Sequence, residues 1–119
     1  MSELAPKDPI DLAHLARYTG GDRQLNSEVF LLFSDHCLQS LRSLQTSLDT
    51  SDGKGWRDTA HALKGAALGV GAFGVAEQAG AAEAMDPETD LSHAAIVLAA
   101  LNARSGVVLA YIEAYLASE

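Results

Sequence analysis

One histidine of this chain stands among cations. In the run from Lys54 to Leu68, His61 has Arg57 one turn before it and Lys64 and Gly65 one turn after it. At 100° per residue with Ala60 at zero, Lys54 falls at about 120°, Arg57 at about 60°, His61 at about 100°, Lys64 at about 40° and Leu68 at about 80°. The apolar stripe of Trp56, Ala60, Leu63 and Ala67 centres at about 320°, so the histidine points away from it. Three of the eight Lys and Arg residues thus share one face with His61, in a chain of formal net charge −8. Imidazole, with a reference pKa of about 6.5, is an uncharged nucleophile near neutral pH, and a neighbouring ammonium favours that form. An ammonium one turn away also offsets charge on a phosphoryl group added to the ring. Gly65 lies beside His61 in a helix interior, where glycine costs ~0.8–1 kcal/mol against alanine. Bare access to the histidine is what it offers in return. The pattern predicts phosphoryl transfer through His61. Walker loop, carboxylate metal cage and base dyad are all missing from the sequence. A partner must therefore bring the activated phosphoryl group and its metal, and the chain is expected to be a carrier without kinase activity of its own.

Other spacings suggest chemistry less well. Gly69-x-Gly71-x-x-Gly74 fits a dinucleotide fingerprint, but that motif needs a preceding strand and a βαβ unit, whereas a helical pattern leads into these glycines. They suit a helix connection. Asp11-x-x-His14, Asp58-x-x-His61 and Asp90-x-x-His93 resemble the carboxylate and histidine ligands of dimetal bundles, which must point inward. His61 and His93 lie off their helices' apolar stripes and inward glutamate partners are missing, so no metal site is expected. Cys37 falls on an apolar stripe and reads as a small buried hydrophobe.

The elements that must position His61 follow from periodicity. Met1 to Lys7 shows none and is expected to be a loose tail, leaving residues 8–119 as one domain. Asp8-Pro9 supplies a cap acceptor and a first-turn proline for a short helix over Ile10 to Tyr18, stopped at Gly20-Gly21. Asp22 caps a long helix with Leu25, Val29, Phe33, Cys37, Leu41, Leu44 and Leu48 as its predicted core face. Asp49 to Gly55 reads as a turn, and the His61 helix then runs from near Lys54 to a break at Gly69-Val70-Gly71. A fourth helix from Ala72 to Met85 presents Val75, Ala79, Ala82 and Met85 on one side. Asp86-Pro87-Glu88 interrupts the chain before a last helix from about Asp90. In it Leu91, Ala94, Leu98, Leu101, Ser105, Val108, Ile112 and Tyr115 recur at threes and fours. No stretch alternates long enough for a sheet, so the expected fold is all-α: an antiparallel four-helix bundle with a short additional N-terminal helix.

Composition bounds the function classes. A length of 119 residues with 48% apolar and 20% charged residues suits one globular domain and excludes a disordered chain. Sixteen acidic residues against eight basic ones argue against nucleic acid or an anionic membrane as partner. The longest uncharged apolar run, Gly65 to Ala76, falls short of the roughly 18 residues of a span. A single cysteine permits no internal disulfide and Met1 to Pro9 lacks a signal-peptide pattern, so a cytoplasmic location is expected. A self-contained bundle is expected to be a monomer.

The run His61-Ala-Leu-Lys64-Gly65-Ala-Ala-x-x-x-Gly71-Ala72 resembles the signature of histidine phosphotransfer (HPt) domains, the four-helix intermediaries of multistep His-to-Asp phosphorelays. The resemblance extends over nearly the whole chain, in helix order. It implies that His61 is the phosphoryl acceptor, Lys64 the phosphate-side cation and Gly65 the clearance residue. It also implies that receiver domains of hybrid histidine kinases and response regulators are donor and acceptor. Mg²⁺ would belong to the receiver, and no cofactor to this chain. Lys54, Arg57, Leu68, Gly69 and Ala72 are the expected partner surface. Two positions depart from the family pattern: Ala66 and Gly69 stand where many members carry serine and another polar residue. Glu83 falls by spacing where the family places a glutamine or glutamate near the histidine. It is either an orienting group for the imidazole or a solvated carboxylate. The alternative function is an unphosphorylated adaptor that docks receivers or kinases through the same face, although such an adaptor would be expected to have lost the histidine.

Overall fold

The computed structural model describes residues 8–118; the expected N-terminal tail, residues 1–7, and residue 119 lie outside the described part. Five helices follow in order: α1 (Leu12–Thr19), α2 (Arg23–Thr50), α3 (Gly53–Val70), α4 (Phe73–Glu83) and α5 (Leu91–Ala117). Short connections make α2, α3, α4 and α5 an antiparallel bundle. The ring closes where Arg23, opening α2, donates to the carbonyls of Tyr115 and Ser118 at the end of α5 and lies 4.3 Å over the Tyr115 ring. A cation there also complements the carbonyl end of the α5 dipole.

Four helices start the same way, with an aspartate carboxylate accepting the backbone N–H three residues on: Asp11 from His14, Asp22 from Leu25, Asp52 from Gly55 and Asp90 from His93. Each satisfies an orphan donor of the first turn. Two of the three Asp-x-x-His spacings are therefore helix caps. The expected start of α1 at Ile10, capped by Asp8, is corrected: the helix begins two residues later, at Leu12, and its cap is Asp11, three residues beyond Asp8. Asp11 N–H donates to the Gly71 carbonyl at 3.0 Å, which ties this stretch to the α3–α4 connection, and Ile10 is fully buried ahead of the helix.

The core face of α2 also differs from expectation. Asn26, Phe30, Phe33, Cys37, Ser40, Leu44 and Ser47 point inward, whereas Leu25 is 46% exposed and Val29, Leu41 and Leu48 are only partly buried. Asn26 holds its core position because its amide finds partners. Thr19 Oγ1 donates to Asn26 Oδ1 at 2.7 Å, and Asn26 Nδ2 donates to the Tyr115 hydroxyl at 3.1 Å, joining α1, α2 and α5. The expected turn over Asp49 to Gly55 shrinks to Ser51 and Asp52, with Ser51 in the left-handed region at φ 54°.

Helix α3 buries Trp56, Ala60, Leu63 and Ala67 as its spacing predicts. It stops at Gly71, whose φ of 89° suits glycine, and a Cβ there would lie 2.8 Å from the Asp11 carbonyl oxygen. Gly71 thus ends a helix and admits the N-terminal segment. Helix α4 turns Val75, Ala76, Ala79 and Ala82 inward, while Met85 is only half-buried beyond its end. Its small side chains let α3 approach closely, and Trp56 Nε1 donates across the contact to the Ala82 carbonyl at 2.7 Å. In α5, Ala94, Leu98, Leu101, Ser105, Val108 and Ile112 line the core as predicted, joined by Val97, but Leu91 is exposed. Among the described residues α5, and not Gly65 to Ala76, is by length and composition the stretch apolar enough to cross a membrane; in the bundle it supplies a core stripe.

Candidate functional site

His61 sits midway along α3 with 70% of its side chain exposed, held outward because Trp56, Ala60, Leu63 and Ala67 commit the opposite side of the helix to the core. The hairpin through Gly71 and Ala72 brings the C-terminal end of α4 alongside. Glu83, the last residue of α4, then reaches both His61 and Lys64 of α3. Its Oε2 lies 2.7 Å from His61 Nδ1 and its Oε1 lies 2.8 Å from Lys64 Nζ. One carboxylate bridges imidazole and ammonium, using both oxygens. Lys64 and then His61, through these contacts, hold the Glu83 carboxyl below the ordinary carboxylate range.

The geometry fixes which ring nitrogen is available. A carboxylate only accepts, so in the neutral ring Nδ1 carries the proton and donates to Glu83, and Nε2 keeps the lone pair. Nε2 has no partner among the described residues and faces solvent. A Cβ placed on Gly65 or on Gly69 would meet nothing within 4 Å, so the surface next to the imidazole is open for two turns.

The other expected surface residues divide. Arg57 is exposed, and Leu68 is 45% exposed on the same face. Lys54 is exposed but paired with Asp58 at 2.6 Å. Each member of that pair shifts the other, the Lys54 ammonium upward and the Asp58 carboxyl downward. Ala72 does not belong to the surface: it is completely buried, because its N–H bonds the Ala67 carbonyl and turns its methyl into the core. Asp58 of the third Asp-x-x-His spacing faces Lys54 instead of joining His61 in a ligand set. Among the described residues no three His, Cys, Asp or Glu side chains gather as metal ligands.

Periodicity alone missed a second part of this face. His36, Gln39, Ser40 and Ser43 of α2 line a cleft with Asp58, Thr59 and Ala62 of α3. At about 100° per residue, Leu25 and Leu32 continue that side of α2 past the cleft, toward the Gly71 end of the antiparallel α3. Leu32 is 72% exposed and Leu25 46%. The signal was the seven-residue spacing of two leucines on a side that α2 does not need for its core.

Comparison with known proteins agrees with this geometry. The structure is similar to that of histidine-containing phosphotransfer protein B (HptB) from Pseudomonas aeruginosa PAO1, with a TM-score of 0.83 and 20% sequence identity over 96% of this chain and 100% of that one, a likeness of fold. No curated protein matches it in sequence. The sequence model of the Hpt domain matches residues 28–115, a span that holds His61, Lys64, Gly65 and Glu83 and most of the bundle that presents them, and the chain belongs to the Hpt domain family.

Proposed function

We propose that His61 is the phosphoryl carrier of this Hpt domain, loaded from the aspartyl phosphate of one receiver domain and unloaded onto the aspartate of another. The observation that carries the proposal is the bridge from Lys64 through Glu83 to His61 Nδ1, which leaves Nε2 as the nucleophile. In the forward step the Nε2 lone pair attacks phosphorus, the P–O bond to the aspartate breaks, and the aspartate leaves as a free carboxylate. The ring becomes cationic as Nε2 is phosphorylated. Glu83, accepting from Nδ1–H, stabilises that charge and fixes the ring's orientation, the role a buried carboxylate plays for other catalytic histidines. Lys64 offsets the phosphoryl charge.

Gly65 and Gly69 give the clearance that an incoming aspartyl phosphate needs for in-line approach. Arg57, Leu68 and Lys54, with Leu25 and Leu32 on α2, form the docking face for receivers of hybrid histidine kinases and response regulators. Mg²⁺ acts in the receiver, and this chain contributes no cofactor. The acidic composition and the single, buried Cys37 fit a cytoplasmic carrier that engages neither nucleic acid nor membrane. Incubation with phosphorylated receivers should load an acid-labile, alkali-stable label, and His61→Gln should abolish it. Equal labelling of His61→Gln would place the acceptor on another residue and overturn the assignment, and a wild-type chain that takes no label would favour the docking adaptor.

A further inference from the structure

Lys64 does not reach Glu83 across open space. Its side chain leaves α3, is 35% exposed, and passes over α4 before its ammonium meets Glu83 Oε1. It crosses α4 at Gly80, where a Cβ would lie 3.5 Å from Lys64 Cδ. That is ordinary van der Waals contact, enough for a methyl and no more. Gly80 stands inside an eleven-residue helix otherwise rich in alanine, a position where glycine disfavours the helix. Nothing in the turn or cap geometry asks for it, since α4 ends at Ala84 with right-handed backbone. What the missing side chain leaves is a shallow track for the lysine stem.

We infer that Gly80 is a positioning residue of the phosphotransfer site, acting through Lys64 by seating its side chain so that the ammonium holds Glu83 against His61. This rests on the function proposed above but makes a separate structural claim. A side chain larger than alanine at position 80 occupies the track, and Lys64 must then swing into solvent. Glu83 loses its cation and keeps only the hydrogen bond from His61, since these two are the groups that hold its carboxyl down.

The test reads Glu83 directly. In ¹³C-labelled full-length protein the Glu83 carboxyl should titrate below 4.5 in the wild type. Gly80→Ala should leave it there. Gly80→Leu should move it up to the position it takes in Lys64→Ala, and combining Gly80→Leu with Lys64→Ala should add nothing. Phosphotransfer from a receiver should follow the same order, slowing in Gly80→Leu by the factor seen for Lys64→Ala. Gly80→Val gives the same comparison if the leucine variant does not fold. An unmoved Glu83 titration in folded Gly80→Leu or Gly80→Val overturns the inference, as does a further shift in the double variant. Neither outcome depends on whether His61 is the acceptor, which the His61→Gln labelling decides.

Discussion

At the scale of single residues the site is a competition between charge and space. Glu83 is held below the ordinary value of 4.5 first by Lys64 and then by His61. A carboxyl with a depressed folded pKa contributes stability that is present above its unfolded value and lost as pH falls through the folded one. The bridge should therefore persist from neutral pH down past 4.5 and open only in more acidic solution. Carboxyl titration with the His61 Nδ1 resonance followed in parallel checks this, and a Glu83 midpoint at or above 4.5 would mean that the bridge does not form in solution. Gly65 tests space. A Cβ there meets nothing, so Gly65→Gln should raise stability by a few tenths up to ~1 kcal/mol through backbone entropy and helix propensity. The same side chain would stand beside His61 in the approach path of a receiver. The variant should melt at or above the wild-type temperature and fail to take label; normal labelling would show that clearance at Gly65 is not required.

At the scale of elements, the sequence marks some boundaries firmly and others poorly. Asp22 and the apolar spacing of α3 and most of α5 are legible because cap and stripe agree on one phase. The start of α1 is not, since Asp8-Pro9 and Asp11 both make plausible caps and the choice depends on the distant Gly71 carbonyl. The inner face of α2 is obscured because Asn26, Ser40 and Ser47 occupy core positions that a search for apolar residues assigns to leucines. Within the site, His61, Lys64 and Gly65 declare themselves by local spacing. Glu83 reaches them from another helix beyond a glycine-rich break that hides helix phase, and Ala72 was misplaced for the same reason. Gly71 is the residue on which this connection turns. Gly71→Ala would place a β-carbon at φ 89° and 2.8 Å from the Asp11 oxygen, costing about 1–3 kcal/mol by the usual price of a left-handed non-glycine residue in a functional turn. Thermal melting should fall by roughly 4–12 °C for a domain of this size. An unchanged melting temperature would show that the N-terminal segment does not hold its place against the connection.

At the scale of the whole molecule the site is an electrostatic exception. Lys54, Arg57 and Lys64 contribute +3 and Asp58 and Glu83 contribute −2 to the His61 face, leaving +1 there and −9 on the rest of a chain of net charge −8. Two of the three cations are already paired, with Asp58 and with Glu83, so Arg57 is the face's uncompensated charge among the described residues. On the proposed reading, a receiver approaching with its aspartyl phosphate would be drawn to this face rather than to the acidic remainder, which would steer the encounter without adding to the chemistry. Arg57→Glu turns the face from +1 to −1. It should slow association with a receiver by roughly threefold to tenfold at low ionic strength, and the difference should fade near 1 M salt, where the Debye length shrinks to about 3 Å. Transfer within the saturated complex should keep its wild-type rate, because Arg57 makes no contact with His61, Lys64 or Glu83 among the bonded pairs of the site. Stopped-flow association and rapid-quench transfer separate the two steps. A salt-independent loss confined to the transfer step would place Arg57 in the phosphoryl site itself and take away the steering role argued for this face.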